Sequence, residues 1–254
     1  MIIAISNHKG GVGKTTTALN LGAALAAETG KKVLLVDLDP QANLSQSLGI
    51  LEPQQSIYEA LTGRGANGLR GVGKGLDVIP ARLDLAGAEV ELSGEPGREL
   101  ILRDHLAQYT GAKGYAYILI DTPPSLGLLT LNALACADAV LIPVKAEYLP
   151  LQGLSNLQRI IQKVSARINP NIKAEAIVIT SYDARKALHK TIAEKIAASF
   201  DVMRSRIREN IALAEAPIQG QTIFDYRSKS AGAEDYAALA AELAQKWKPS
   251  NKVK

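Results

Sequence analysis

Residues 9–16 read Lys-Gly-Gly-Val-Gly-Lys-Thr-Thr, between an apolar run at residues 2–6 and a stretch with helical spacing from Thr15 to Glu28. A glycine-rich turn that joins a strand to a helix can wrap its backbone N–H groups around phosphates at the positive end of the helix. In such a loop Lys14 would neutralise β- and γ-phosphate charge, and the Thr15 hydroxyl would bind Mg²⁺. The sequence therefore predicts nucleotide binding. The other predicted nucleotide contacts are Gly10, Gly11, Val12, Gly13 and Thr16.

The loop departs from the ordinary phosphate-binding pattern, Gly-x-x-x-x-Gly-Lys-Thr/Ser, at its first position. His8 stands where the first glycine is expected, and a second lysine, Lys9, stands at the front edge of the loop. Because Lys14 already serves the phosphates, Lys9 either lies in solvent or reaches the nucleotide of another subunit. Positive charge supplied in trans stabilises phosphoryl transfer, so the physics leaves both interpretations open.

Apolar, β-branched runs alternate with helical stretches from end to end. This alternation predicts an α/β fold: a single doubly wound domain over residues 1–254, with a mostly parallel central sheet covered by helices on both faces. The candidate strands are Ile2–Ser6, Lys32–Val36, Leu76–Ile79, Tyr117–Ile120, Ala139–Val144 and Ala174–Thr180. The candidate helices are Thr15–Glu28, Ser56–Leu61, Arg98–Tyr109, Leu128–Ala135, Leu151–Ile168, Lys186–Ser199 and Gly232–Trp247. We expect Gly63–Lys74 to be a mobile surface loop and 248–254 a frayed basic tail.

The composition narrows the class of protein. The chain of 254 residues is 47% hydrophobic and 21% charged, as expected of a globular protein with a sizeable core. Its single cysteine, Cys136, excludes a disulfide framework and a multi-cysteine metal site within one chain. No signal peptide or membrane-spanning apolar stretch is recognisable, so we expect a cytoplasmic protein. Residues 159–254 carry 17 Lys+Arg against 10 Asp+Glu, which suits a polyanion partner or simply a solvated surface.

Three carboxylates are placed to complete the predicted site. Asp37 and Asp39 follow an apolar strand and point to the same side of an extended backbone, while Leu38 points away. One of the two could orient the attacking water, and the other could lie near Mg²⁺. Asp121 ends a second apolar strand, the usual position of a carboxylate that holds Mg²⁺ through water. Ligands of such sheets bind beyond the carboxyl ends of the strands, where all three residues are expected.

Together these motifs resemble the ParA-type partition ATPases, a deviant Walker-A group that includes MinD and has the P-loop NTPase fold. The resemblance runs nearly the whole chain and rests on Lys9–Thr16, Leu34–Asn43, Ile118–Pro124, Ile142–Tyr148, Gly153-Leu154, Tyr182–Arg185, Leu213–Pro217 and Asp225-Tyr226. It implies an ATP-sandwich homodimer in which Lys9 crosses to the phosphates of the partner. It also implies that Asp39 positions the hydrolytic water, that Asp121 assists Mg²⁺, and that the segment around Arg208 and Asn210 cradles adenine.

The resemblance further implies that the ATP-bound dimer binds double-stranded DNA without sequence preference and is nucleoid-associated. A ParB-type centromere-binding partner would stimulate hydrolysis and release the dimer. Arg185 matches a family arginine tied to DNA contact, but Ala212 occupies the position of the second, and Glu209 replaces another basic residue. Either DNA binding is weaker, or other basic residues compensate; the candidates are Lys186, Lys190, Arg204 and Arg206.

Other functions on the same scaffold remain open. The cargo could be a chemoreceptor cluster or a carboxysome, since the partner chooses it. A MinD-like membrane cycle needs an amphipathic C-terminal anchor; the end of this chain is rich in alanine, so we expect a core helix and no stable membrane association. Iron–sulfur reductase relatives need more than Cys136. Because the loop begins at residue 9, an N-terminal repressor domain and direct operator regulation are not expected.

Overall fold

The computed structural model describes residues 1–111, 114–147, 151–172 and 174–247. Within these residues, eight strands form one sheet in the order β3-β4-β2-β5-β1-β6-β7-β8, and every neighbouring pair is parallel except β3–β4. The strands are β1 (Ile2–Ile5), β2 (Val33–Asp37), β3 (Arg70–Gly73), β4 (Leu76–Ile79), β5 (Tyr117–Asp121), β6 (Ala139–Lys145), β7 (Ala174–Tyr182) and β8 (Val202–Arg208).

Helices cover both faces of this sheet, and alternate residues of each strand face opposite cores. Ile3 and Ile5 of β1 belong to one apolar cluster, whereas Ile2 and Ala4 belong to the other. The doubly wound fold predicted from the alternating sequence is confirmed. The helices are α1 (Lys14–Thr29), α2 (Asn43–Gln46), α3 (Ile57–Leu61), α4 (Leu85–Glu91), α5 (Ile101–Leu106), α6 (Leu128–Cys136), α7 (Leu151–Arg167), α8 (Ala187–Ala197), α9 (Ala212–Glu215), α10 (Ile223–Arg227) and α11 (Ala231–Lys246).

The predicted helices are found with small shifts at their ends. The largest shift is in the helix predicted over Arg98–Tyr109, where α5 begins at Ile101 and residues Ala107–Tyr109 form a 3₁₀ turn. The short helices α2, α4, α9 and α10 were not predicted. Each has four to seven residues, which is fewer than two helical turns.

The prediction of a loop over residues 63–74 is wrong for its second half, where Arg70–Gly73 forms β3 and pairs antiparallel with β4. The first half is held by Asn67, which is 5% exposed and donates hydrogen bonds to His105 and Tyr109. Gly68 has a φ of 68° and packs directly on the Gln55 carbonyl, where a Cβ would collide. Gly68 therefore serves a tight tertiary contact.

Strand β8 was also missed, because a register shift hides its alternation. Val202 pairs with Ile177 and Arg206 with Ile179, so four residues of β8 span two residues of β7. The amides of Arg204 and Ser205 instead donate to the Glu242 carboxylate of α11, at 2.7 and 2.8 Å. Side chains of the last helix thus satisfy the open edge of the sheet.

The C-terminal helix packs in the core, as the sequence suggested. Leu239, Ala240 and Leu243 of α11 have no exposed surface, and Trp247 is 6% exposed. The predicted basic tail, 248–254, lies outside the described residues, as does Tyr148. Among the described residues, no helix combines the length and apolarity that crossing a membrane requires.

Candidate nucleotide-binding site

The predicted phosphate loop joins β1 to α1 at the carboxyl edge of the sheet. Gly11 and Gly13 have φ values of 68° and 91°, the left-handed region that favours glycine. A Cβ at Gly10 or Gly11 would meet no atom within 4 Å, so this side of the loop is open. No side chain caps the first turn of α1, which leaves its N–H groups available to an anion. The loop has the shape and polarity of a phosphate cradle.

Lys14 points into the protein from the start of α1. Its residue is 7% exposed, and its ammonium donates to the Lys9 carbonyl at 3.3 Å. Burial lowers the pKa of Lys14, while the charges of Asp121 and Asp39 oppose that shift. A buried cation beside carboxylates acts with little screening on any charge that enters the loop.

Asp121 lies beneath the loop and bonds to the residue predicted to bind Mg²⁺. The Thr15 hydroxyl donates to Asp121 Oδ2 at 2.7 Å. Asp121 is fully buried, yet its Oδ1 atom has no hydrogen-bond partner. Burial, reinforced by the charge of Asp37, raises the pKa of the Asp121 carboxyl well above its usual range. An unsatisfied buried acceptor next to a hydroxyl is the hard oxygen environment that a hydrated Mg²⁺ would complete.

The described residues contain no group of three or more His, Cys, Asp and Glu side chains able to hold a metal by themselves. A cation at Thr15 and Asp121 would therefore share its remaining positions with water and phosphate oxygens. That is the usual manner in which Mg²⁺ binds in nucleotide sites.

The Asp37 carboxylate accepts hydrogen bonds from the segment that follows it. Its Oδ2 accepts from the Ser45 amide at 2.9 Å and the Ser45 hydroxyl at 2.7 Å, and its Oδ1 accepts from the Asp39 amide at 3.2 Å. Burial raises the pKa of Asp37 to about 6 against these hydrogen bonds. The residue lies in register with Asp121 on β5. Ser45 was missed in the sequence because its role depends on a fold-back of the chain over eight residues.

Asp39 remains closer to the open side of the site. It is 7% exposed, and its Oδ1 accepts from the Gln41 amide at 3.0 Å. The intervening Leu38 is fully buried in the apolar core, as the alternation predicted. The roles of Asp37 near Mg²⁺ and of Asp39 on the attacking water stay predictions.

Lys9 faces outward, unlike Lys14. Its side chain is 55% exposed, and its ammonium lies 3.1 Å from Glu147 Oε2. The Lys9 amide donates to Asn7 Oδ1, and the Asn7 amide group in turn donates to the Pro143 carbonyl at 2.7 Å. Local sequence patterns do not reveal the roles of Asn7 and Glu147, because both act through contacts between distant parts of the chain. Whether Lys9 serves a second subunit stays a prediction.

The segment predicted to hold adenine follows β8. The Arg208 guanidinium bonds to Asp235 and Glu234 of α11, and these carboxylates raise its pKa. Asn210 Oδ1 accepts from the Ala212 amide at 2.9 Å, which fixes the turn after the strand. The adenine-binding role of this segment stays a prediction.

The predicted DNA-contacting residues divide into two groups. Arg185, Arg204 and Arg206 line one open cleft of about 840 Å³ at the β7–β8 edge. Lys186 and Lys190, at the start of α8, do not line it; the Lys186 ammonium pairs with Glu209 at 3.1 Å, and Lys190 is exposed.

Two of the three arginines that line the cleft interact with neighbouring side chains. The Arg185 side chain is 90% exposed, and its guanidinium binds the Asp183 carboxylate through two hydrogen bonds. The guanidinium of Arg206 stacks on the Tyr182 ring, 4.5 Å from its centroid. Ala212 is 1% exposed and packs in a small apolar cluster, so this position gives the surface no positive charge.

The chain is similar to known proteins over nearly its whole length. A family model described as an AAA domain matches residues 1–174. The chain is 43% identical over 249 residues to the chromosome partitioning protein ParA of Caulobacter vibrioides, covering 95% of this chain and 93% of that one. It is 44% identical over 243 residues to the chromosome-partitioning ATPase Soj of Thermus thermophilus, covering 95% and 94%. The chain belongs to the ParA/Soj family of ATPases.

A solved structure supports the same ParA/Soj fold. It is a Mycobacterium smegmatis protein described as cobyrinic acid a,c-diamide synthase with bound ADP and magnesium. The TM-score is 0.84 at 35% identity, covering 97% of this chain and 95% of that one. The family resemblance predicted from the loop and its carboxylates is thus confirmed, and the chain is a P-loop ATPase.

Proposed function

We propose that this ParA/Soj-family ATPase is an ATP-dependent DNA partition protein whose ATP-bound homodimer binds double-stranded DNA without sequence preference. One observation carries the proposal: the two lysines of a single loop face opposite ways. Lys14 is 7% exposed and faces its own phosphate cradle, whereas the Lys9 side chain is 55% exposed. One lysine is therefore available to a second nucleotide in another copy of the chain.

Nucleotide binding rests on the geometry of the loop. The N–H groups of the loop and of the first turn of α1 would bind the phosphate oxygens, and Lys14 would neutralise their charge. Thr15 would hold Mg²⁺ directly and Asp121 would hold it through water, and the bound ion would supply positive charge to the phosphates. Asp39 would orient the attacking water, while Asp37 fixes the backbone that carries Asp39.

Dimerisation follows from the exposed lysine. The Lys9–Glu147 ion pair is about half exposed on both sides, and such pairs stabilise a protein by only about 0–1 kcal/mol. A triphosphate carries more charge than Glu147, so Lys9 would leave that carboxylate for the nucleotide of a partner subunit. Charge supplied in this way in the transition state would make hydrolysis slow in the monomer and faster in the dimer.

DNA binding is supported by the arginine cleft at the β7–β8 edge. Arg185, Arg204 and Arg206 lie together there, with Lys186 and Lys190 exposed nearby. Guanidinium and ammonium groups suit backbone phosphates, which carry no sequence information. We expect a cytoplasmic, nucleoid-associated protein whose DNA-bound dimer is released when a ParB-type partner stimulates hydrolysis.

The experiment separates the two lysines. Size-exclusion chromatography with a non-hydrolysable ATP analogue and Mg²⁺ should show a dimer for the wild type and for the control Lys31→Ala, an exposed lysine after α1. Lys9→Ala should bind the analogue but stay monomeric, whereas Lys14→Ala should lose nucleotide affinity itself. A dimeric Lys9→Ala variant with normal stimulated turnover would remove Lys9 from the trans role.

The DNA step has its own test. Fluorescence anisotropy with unrelated duplexes should give equal affinities for the analogue-locked dimer, and these should fall steeply as salt rises. Arg185→Ala should weaken all duplexes alike. If the locked dimer ignores DNA even at low ionic strength, the partition role is wrong although the ATPase remains.

A further inference from the structure

Thr180 lies on β7, next to the edge strand β8, and touches the phosphate loop from the side opposite Asp121. Its hydroxyl donates to the Val12 carbonyl at 2.9 Å, across 168 residues of chain. Thr180 is 4% exposed and Val12 2%, so water does not compete for this bond. The Thr180 methyl group also packs beside Gly13, 3.7 Å from the place a Cβ would occupy.

This bond acts on the part of the loop that must face phosphate. Val12 lies between Gly11 and Gly13, both in the left-handed conformation, so the peptides around Val12 could turn in more than one direction. N–H groups point toward an anion only when the carbonyls beside them point away. The Thr180 hydroxyl binds the Val12 carbonyl and turns it toward the protein interior. This selects the peptide orientation in which the loop N–H groups face the phosphates.

The strand beyond Thr180 is itself in an unusual conformation. Ser181 has a φ of 49°, a region that residues with a Cβ rarely adopt. Strain of this kind persists only where the surroundings hold it, and it concentrates at functional sites. A hydrogen bond holds the residue after Ser181: the Tyr182 carbonyl accepts from the Glu209 amide at 3.2 Å.

We propose that Thr180 is a positioning residue of the nucleotide site, whose hydroxyl orients the loop N–H groups toward the phosphates. The inference rests on the proposed nucleotide binding. It adds to the nucleotide site a residue that belongs neither to the phosphate-loop motif nor to the acidic ends of the strands. Thr180 would not touch the nucleotide, because its hydroxyl is bound to the loop backbone. It would act on nucleotide affinity through Val12.

Two variants separate the hydroxyl from the methyl group. Thr180→Val keeps the shape but removes the donor, leaving a buried carbonyl without a partner; Thr180→Ser keeps the donor. Mg-ADP binding, measured by calorimetry, should weaken about tenfold in Thr180→Val and stay within about twofold of wild type in Thr180→Ser. In ATP turnover the valine variant should show a raised KM with a smaller change in kcat.

The melting temperatures of the nucleotide-free variants provide the structural control. We expect Thr180→Ser to melt close to wild type and Thr180→Val to melt several degrees lower, because its buried Val12 carbonyl has no partner, while both stay folded at the temperature of the calorimetry. If Thr180→Val does not fold, Thr180→Ala replaces it in the comparison with serine. Wild-type affinity in the valine variant, or serine as weak as valine, would overturn the positioning role. A wild-type protein that binds no Mg-ADP would instead refute nucleotide binding, and this inference with it.

Discussion

Ser45→Ala is the substitution that most directly tests how the acidic loop after β2 is held. Ser45 is fully buried, and its hydroxyl makes two hydrogen bonds. It donates to Asp37 Oδ2 at 2.7 Å and accepts from the Ala81 amide at 2.9 Å. Alanine removes both bonds but leaves the Ser45 backbone donor to Asp37 in place.

The size of the effect follows from these two bonds. A hydrogen bond to a charged group contributes about 1.5–3 kcal/mol, and an orphaned buried amide costs about 1–3 kcal/mol. Because the bonds share one oxygen, the costs overlap, and we expect the free energy of unfolding to fall by about 3 kcal/mol. For a chain of this length that corresponds to a loss of about 6–12 °C in Tm.

The loss should also depend on pH. Burial raises the pKa of Asp37 to about 6 in the folded protein, so ionising Asp37 costs stability as pH rises from its unfolded value to that point. The Ser45 hydroxyl lowers this pKa, and its removal must raise it further. The contribution of Asp37 to stability is therefore level above pH 6 in the wild type but continues to fall there in the variant. The difference between them should be larger at pH 8 than at pH 5.

Urea unfolding followed by circular dichroism, without nucleotide or Mg²⁺, measures both effects. Ser47→Ala is the matched control, since Ser47 is partly exposed on the same segment and its hydroxyl donates to the Asn43 carbonyl at 2.6 Å. It should change the unfolding free energy by no more than about 0.5 kcal/mol. Equal losses in the two variants, or a Ser45→Ala loss that is the same at pH 5 and pH 8, would refute the reasoning.

Two further changes test surfaces away from this loop. Asp183→Asn removes the carboxylate that holds the Arg185 guanidinium, so the locked dimer should bind duplex DNA several-fold more tightly at low salt, measured by anisotropy. Weaker binding would mean that Arg185 needs Asp183 to orient it. Gly68→Ala should cost about 3 kcal/mol in urea unfolding, because the new methyl group meets the Gln55 carbonyl at a positive φ. Gly65→Ala, with ordinary contacts and no positive φ, should cost under about 1 kcal/mol, and equal losses would contradict that contact.

Local sequence patterns predicted the structure correctly where a residue type has a single physical consequence. Lys32–Val36 reads as a buried strand followed by an acid, and the structure has β2 over Val33–Asp37 with Asp37 at its carboxyl end. The pattern failed where long-range contacts override it. Residues 70–73 look like flexible glycine-rich chain, yet they pair with β4. Strand β8 lacks a clear alternation of buried and exposed residues. Its register shift leaves the amides of Arg204 and Ser205 without a partner on β7, and they donate to Glu242 on α11 instead.

By itself, the sequence determined the loop of residues 9–16, the acids that accompany it and hence the family, because glycine conformations, strand alternation and charge are local properties. Only the tertiary structure decided which way each side chain of the site faces. Lys14 is buried beside Asp121, whereas Lys9 pairs with Glu147 at the surface. The two lysines are five residues apart in one loop; the motif assigns Lys14 to the phosphates but leaves open where Lys9 lies. Their orientations depend on strands β5, β6 and β7, which the chain reaches more than a hundred residues later.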